Sequence, residues 1–308
     1  MNTPPRIHRV GDVTVTRIDE LALGAFTPRM LYPDADPDAD LIERHGGALG
    51  AGSIDRTAGT LVQSIHSWLV RTPHHTILVD TATGNGKSRP YAPVLDHLNE
   101  PYLARLAAAG VAPEDVDYVL ITHLHADHVG WNTQADGDGW RPTFPKARYV
   151  FSATELRYNE DLAAGQPAGA DAARLPYPGV YQDSVRPVVE AGLAQPIAID
   201  GDEFLDGLSF VPTPGHSVDH ASIRLVSRGQ EALFAGDVMH HPLQVYAPEL
   251  NSCFCEYLDA ARLSRRWVLE HAAEHDTLVF SSHFAETGAG RITRRGERFD
   301  WQFVDGGR

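Results

Sequence analysis

Cysteine is almost absent from this chain of 308 residues, which holds only Cys253 and Cys255. One residue apart, they are too close for an ordinary structural disulfide. A disulfide framework is therefore excluded. The pair reads as two reduced thiols, with a further metal site as the alternative. Basic charge is also scarce: 26 Lys and Arg stand against 41 Asp and Glu, a net charge of −15. Nucleic acids need a basic footprint, and the basic doublets Arg265-Arg266 and Arg294-Arg295 read as solvated faces. No apolar run approaches the roughly 20 residues that span a bilayer. The start, Met1-Asn2-Thr3-Pro4-Pro5-Arg6, lacks the apolar core of a signal peptide. A cytoplasmic protein with neither nucleic-acid nor membrane partners is expected. No G-x-S-x-G elbow is present to offer a serine nucleophile, and Gly84-Asn85-Gly86-Lys87 does not match a P-loop. Solenoid periods and heptads are missing too. What remains is an ordinary globular composition, 43% hydrophobic and 22% charged, read as a single domain over residues 1–308.

Histidine is plentiful, at 16 residues. His123-Leu124-His125-Ala126-Asp127-His128 packs four metal-binding groups into six positions, after the apolar run Tyr118-Val119-Leu120-Ile121. The run reads as a buried strand, so the cluster begins at the carboxyl edge of a sheet, where open α/β folds bind their ligands. His123 and His125 are two apart and point the same way in extended backbone. Asp127 and His128, on the following turn, can reach a second ion. Three more candidates each follow an apolar strand: His216 after Leu208–Val211, Asp237 after Ala232–Phe234, and His283 after Thr277–Phe280. Five imidazoles and two carboxylates suit two divalent ions of the zinc type, with Fe, Mn or Co as other occupants. Asp237 is the natural bridge, because a carboxylate has two oxygens. His8, His45, His74, His75, His97, His271 and His275 have no such spacing. His66 lies within a strand and reads as a core histidine.

The cluster, Thr213-Pro214-Gly215-His216, Ala235-Gly236-Asp237 and Ser281-Ser282-His283, in this order, resemble the metallo-β-lactamase superfamily from about Val62 to Phe280. That resemblance implies an αββα sandwich, two mixed sheets face to face with helices outside. It also implies that His123, His125 and His216 hold one ion, that Asp127, His128 and His283 hold the other, and that Asp237 bridges them. Di-iron members of the family carry Glu at the position of His125, which argues against redox chemistry here. β-Lactamases lack the bridging Asp, and the glyoxalase II kind carries a basic helical extension where this chain ends in a strand-like alternation, Arg298–Val304. The stretch Ala235–Pro242 looks most like the branch holding N-acyl-homoserine lactonases and methyl parathion hydrolase. Those lactonases place a Tyr three residues after the bridging Asp. Here it is His240, which resembles the phosphotriesterase side.

Other segments frame this site. Strands are expected at Val13–Ile18 and as a hairpin pair, Val62–Val70 with Thr76–Asp80. Helices are expected at about Val94–Ala109, from the capping box Ser152–Glu155 onward, and at Asp259–His275. Residues 165–180 read as a surface loop. Asp80 ends its strand near the cluster and is a candidate to orient a ligand histidine. Residues 23–60, rich in Gly and Pro with an acidic patch from Asp34 to Asp40, form an aperiodic stretch. Long loops in compact domains are usually functional or disordered, so this one is a candidate lid, with Phe26, Met30, Leu31 and Tyr32 either facing substrate or anchoring it. Trp131, Trp140 and Phe144 stand in the same ambiguity.

Two close divalent ions make a shared water nucleophilic near neutral pH and clamp the substrate oxygen. The expected reaction is therefore attack of a metal-bridging hydroxide on the carbonyl of a small apolar lactone or ester. Hydrolysis of organophosphates or aryl esters is the alternative, and a non-catalytic metal-binding protein is a third reading. Asp127, Asp237 and His240 are the candidate catalytic residues. Phe26, Met30, Tyr32, Trp131 and His241 are candidate substrate contacts, and a homodimer is left open.

Overall fold

The computed structural model describes residues 6–35, 39–166, 174–177 and 179–307. Asp36, Pro37 and Asp38 of the acidic patch, the first five residues, and residues 167–173 and 178 of the Gly/Pro-rich loop lie outside them. The chain divides into two units. One holds Met1–Leu21 and Ile65–Ile199, the other Ala22–Ser64 and Asp200–Gly307.

A mixed sheet, most of it in the first unit, is ordered Ile7–Val10, Val13–Phe26, Thr60–Arg71, Thr76–Val79, Tyr118–Leu120, Arg148–Ser152 and Ala194–Ile197. The expected hairpin is there, antiparallel from Trp68↔Val79 to Arg71↔Thr76. The next three pairings are parallel. Parallel strands are covered on both faces and read as continuous apolar runs. Tyr118–Leu120 fits, flanked by Thr76–Val79 in the register Val79↔Leu120. That register puts Asp80 beside the start of the histidine cluster. The crossover between these strands holds a 3-10 turn at Pro113–Asp115 and its α-helix at Tyr102–Ala108, not from Val94. Pro101 is the reason. Proline lacks a donor and disfavours helix at the residue before it, so the helix begins just after it. Ser152 caps the helix Ala153–Ala163, accepting from Thr154 N and Glu155 N.

The second unit carries a seven-stranded mixed sheet, ordered Glu203–Leu205, Leu208–Pro212, Ala221–Ser227, Gln230–Phe234, Leu278–Phe280, Ala289–Arg295 and Arg298–Phe303. Only Gln230–Phe234 and Leu278–Phe280 are parallel, in the register Phe234↔Phe280. The helix Leu258–His275 lies in their crossover. Its Val268, Leu269 and Ala272 bury against Val279, Ile292, Phe299 and Trp301. Asp237 and His283 each stand three residues beyond the paired ends, so the register brings them together.

The aperiodic stretch 23–60 is more ordered than its sequence suggests. The strand Val13–Phe26 runs into it, and Thr27 caps the helix Pro28–Leu31 through its side chain. Helix Ala39–His45 follows. Leu31 and Tyr32 are fully buried in an apolar cluster with Leu49, Leu61, Leu243, Ala247 and Leu250. Tyr32 is therefore a core anchor, which corrects its reading as a substrate contact. Met30 stays 54% exposed.

Candidate metal centre

In the first unit the strand Tyr118–Leu120 ends, the chain bends at Thr122, and His125, itself extended, stands at the N-cap of the short helix Ala126–Val129. The rings of His123 and His125 lie 4.5 Å apart and those of His123 and His128 4.2 Å apart. His123 and His128 are buried, while His125 and Asp127 are half-buried. Asp80 sits behind them at 2% exposure. Its Oδ2 accepts from His128 Nδ1 at 2.8 Å, and its Oδ1 accepts from the Thr122 backbone at 2.8 Å. The Thr122 hydroxyl donates to Asp80, so its oxygen accepts from His123 Nδ1 at 3.0 Å. Both rings thus give up their Nδ1 proton contact to the scaffold and keep Nε2 as the lone-pair nitrogen, the arrangement in which carboxylates orient metal-binding histidines. The sequence placed Asp80 correctly at a strand end. The relay through Thr122 had no sequence signal.

The turn after Asp80 clasps the cluster. Thr81 N donates to His128 O at 2.7 Å and Gly130 N to Ala82 O at 2.7 Å. A Cβ on Gly130 would fall 1.8 Å from Thr83 backbone atoms, so only glycine closes the segment here. Trp131 is 5% exposed, stacks on Tyr102 at 5.2 Å and donates to Glu20 Oε1 at 2.6 Å. Burial raises the Glu20 carboxyl above the usual range. Trp131 therefore braces the turn and is withdrawn from the substrate contacts. Phe144 is fully buried, and Trp140 lies under Lys87 Nζ, 3.7 Å from its ring centre.

In the second unit three imidazoles converge on one carboxylate. His216 Nε2 and His240 Nε2 each lie 3.2 Å from Asp237 Oδ2, and His283 Nε2 lies 3.0 Å from Oδ1 and 3.1 Å from Oδ2. All four residues are at most 4% exposed. Contacts to the His283 ring and to the backbones of Asp237 and His240 position them. His283 Nδ1 donates to Ser64 O at 2.9 Å. His220, absent from the sequence reading, accepts from the Asp237 backbone N–H through Nε2 at 2.9 Å and meets Thr213 O through Nδ1 at 3.0 Å. Its only sequence signal was its place four residues after His216. The His240 backbone is clamped on both sides, with N donating to Gln244 Oε1 at 2.7 Å and O accepting from Gln63 Nε2 at 3.1 Å. Gly215, at φ +125°, presses on the helix Leu258–His275, where a Cβ would meet Ala261 N at 2.0 Å. That contact fixes the loop that presents His216.

His241 points elsewhere. It is fully buried, donates through Nε2 to Ser53 O at 2.9 Å and accepts from Leu243 N at 3.2 Å. Burial lowers its pKa to about 4. Both nitrogens serve the backbone, which removes His241 from the substrate contacts. Cys255 is buried beside Ser252 Oγ at 3.4 Å, and burial raises its thiol pKa. Neither thiol shares in the metal-binding groups found among the described residues.

The donor set is uniform: imidazole nitrogens and carboxylate oxygens. His216, Asp237 and His240 offer atoms within 4.8 Å of one another. Crowding imidazoles around a buried carboxylate leaves a site that a divalent cation of the zinc type suits. Among the described residues no helix is long and apolar enough to cross a membrane.

Solved structures share the fold. The hydrolase AbOPH, of the β-lactamase superfamily, aligns over 99% of this chain and 100% of its own, with a TM-score of 0.78 and 22% identity. AidC, a dizinc quorum-quenching lactonase, aligns over 97% and 98%, at 0.75 and 19%. A probable metal-dependent hydrolase from Staphylococcus aureus aligns over 96% and 98%, at 0.75 and 17%. At such identities the likeness speaks for the fold. The sequence itself matches the metallo-β-lactamase superfamily model over residues 61–283, the span that opens just before Ser64 and ends on His283, and with two mixed sheets, flanking helices and histidine–aspartate clusters at the strand ends, the chain belongs to that superfamily.

Proposed function

We propose that the chain is a dinuclear metal-dependent hydrolase of small apolar lactones or esters. His123, His125 and His216 would hold one ion, Asp127, His128 and His283 the other, with Asp237 bridging. Zinc is the occupant that this donor set favours. The observation that carries the reading is Asp237, whose carboxylate oxygens meet three imidazoles at 3.0–3.2 Å. When bound, the ions would activate water and draw charge from the substrate oxygen. The chain's own part is to orient. Asp80 and Ser64 fix the His128 and His283 rings. His240 would donate a hydrogen bond to the substrate oxygen as charge develops there. Its backbone clamps let it do so without reorganising.

The second reading is an organophosphate or aryl ester hydrolase. Two observations favour it: His240 stands where the lactonase branch has Tyr, and the Phe254 ring lies beside it, with Phe26 edge-on to Phe254. Zinc-loaded protein should be profiled on an acyl-homoserine lactone, an alkyl ester and a phosphotriester with an aryl leaving group. We expect kcat/KM for the lactone or ester about 100-fold above that for the phosphotriester, with activity lost to chelator and regained with zinc. The reverse order would establish the second reading, and no turnover on any of the three would overturn both.

Asp80 offers a separate check. Asp80→Asn places an amide where the His128 Nδ1–H finds its acceptor. Loss of such an orienting partner typically weakens metal binding by about 10- to 100-fold. Chelator competition should show that loss for one ion of the pair, with the far-ultraviolet spectrum unchanged. Unaltered affinity for both ions would remove Asp80 from the site.

A further inference from the structure

Phe254 is 37% exposed, and an exposed apolar side chain is unremarkable taken alone. Its surroundings set it apart. The ring lies 5.5 Å from the buried His240 ring at 35°, and Phe26 meets it edge-on at 5.4 Å and 89°. The exposed Leu263 and Trp267 sit on the helix Leu258–His275 and have no such neighbour in the site. The backbone beneath Phe254 is fixed: Cys253 N donates to Leu31 O at 2.8 Å and Cys255 N to Ser252 O at 3.2 Å. Asn251 Nδ2 donates to Leu258 O at 2.9 Å, and Arg265 Nη2 donates to Asn251 Oδ1 at 3.1 Å. These bonds hold a partly exposed aromatic ring beside the imidazole proposed to meet the substrate oxygen.

We infer that Phe254, squared by Phe26, is the specificity-determining wall for a planar aromatic group carried by the substrate. The inference rests on the hydrolase reading of the site and narrows it. Two rings at right angles form an apolar corner. A flat aromatic group gains there by offset stacking on one ring and edge contact with the other, beyond its buried area. A saturated ring of the same size gains the area alone.

The test compares phenyl butanoate with cyclohexyl butanoate on zinc-loaded protein, as variant-to-wild-type ratios, so that the difference in leaving-group chemistry cancels. Phe254→Ala should raise KM for the phenyl ester about tenfold and for the cyclohexyl ester about threefold, with kcat changed less than about threefold. Phe254→Leu restores apolar area without a ring. It should rescue the cyclohexyl ester and leave the phenyl ester about fivefold impaired. Binding of 1-naphthol, followed by its fluorescence, gives a readout without turnover, and its Kd should rise about fivefold in Phe254→Leu. Equal KM changes for both esters, or an unchanged naphthol Kd alongside normal hydrolysis, would overturn the inference. If wild type hydrolyses neither ester but naphthol binding still depends on Phe254, the hydrolase reading fails and the aromatic wall stands.

Discussion

Asp237→Ala should cut bound metal from about two ions per chain to below one and lower kcat/KM by about 10⁴-fold or more. The effect is large because the carboxylate has no substitute. It is 3% exposed and faces the imidazoles of His216, His240 and His283. Without it, two divalent cations would sit close together with one fewer counter-charge and no shared ligand, and their repulsion in a poorly solvated site is strong. Asp127→Ala is the matched control. Its side chain is 23% exposed and is assigned to the second ion alone, so elemental analysis should find about one ion left. Asp237→Asn keeps the shape and loses the charge, and should resemble Asp237→Ala in metal content if the bridge is electrostatic. Circular dichroism guards against simple unfolding, because Asp237 N remains bonded to His220 in each variant. Two tightly held ions in the Asp237→Ala protein would overturn the bridging role.

Much of the site was legible because each candidate ligand follows a short apolar run, and an apolar run ending in a polar turn is a local signal. Tyr118–Leu120, Leu208–Pro212, Gln230–Phe234 and Leu278–Phe280 are all strands in the structure. The C-terminal alternation is likewise the strand Arg298–Phe303. What failed depended on contacts distant in sequence. The stretch 23–60 has no period because its short elements bury single residues, Leu31, Tyr32 and Leu49, against Leu243 and Leu250 some 200 positions on. The helix expected at Val94–Ala109 spans only Tyr102–Ala108, because Pro101 lacks a donor and sets its start. Trp131 read as pocket lining since its partner, Glu20, lies in a distant strand. His220 was silent because its role needs the pairing Pro212↔Ala221 to bring Thr213 and Asp237 to the two sides of one ring.

His240 and His241 are adjacent in sequence and should part company in experiment. His240→Ala is expected to keep about two ions per chain and lose about 10²- to 10⁴-fold in kcat, the range for a positioned donor acting on the reacting oxygen. His240→Gln, which retains a side-chain N–H, should recover part of it. His241→Ala is expected to keep kcat and lose stability instead. Removing the ring strands Ser53 O and Leu243 N, both tied to it in a fully buried place, and an orphaned buried group costs about 1–3 kcal/mol. Urea unfolding should show this as a lower midpoint. The pH dependence carries a sign as well. The fold holds the His241 pKa at about 4, down from 6.5, so between those values the unfolded chain binds the extra proton. Stability therefore falls as pH drops from 6.5 toward 4, and His241→Gln should flatten that slope. If His240→Ala loses a metal ion, His240 is a ligand and not a donor to substrate. If it keeps both ions and full kcat while His241→Ala is slow, the roles are reversed, and the backbone bonds of His241 are no barrier to its taking part.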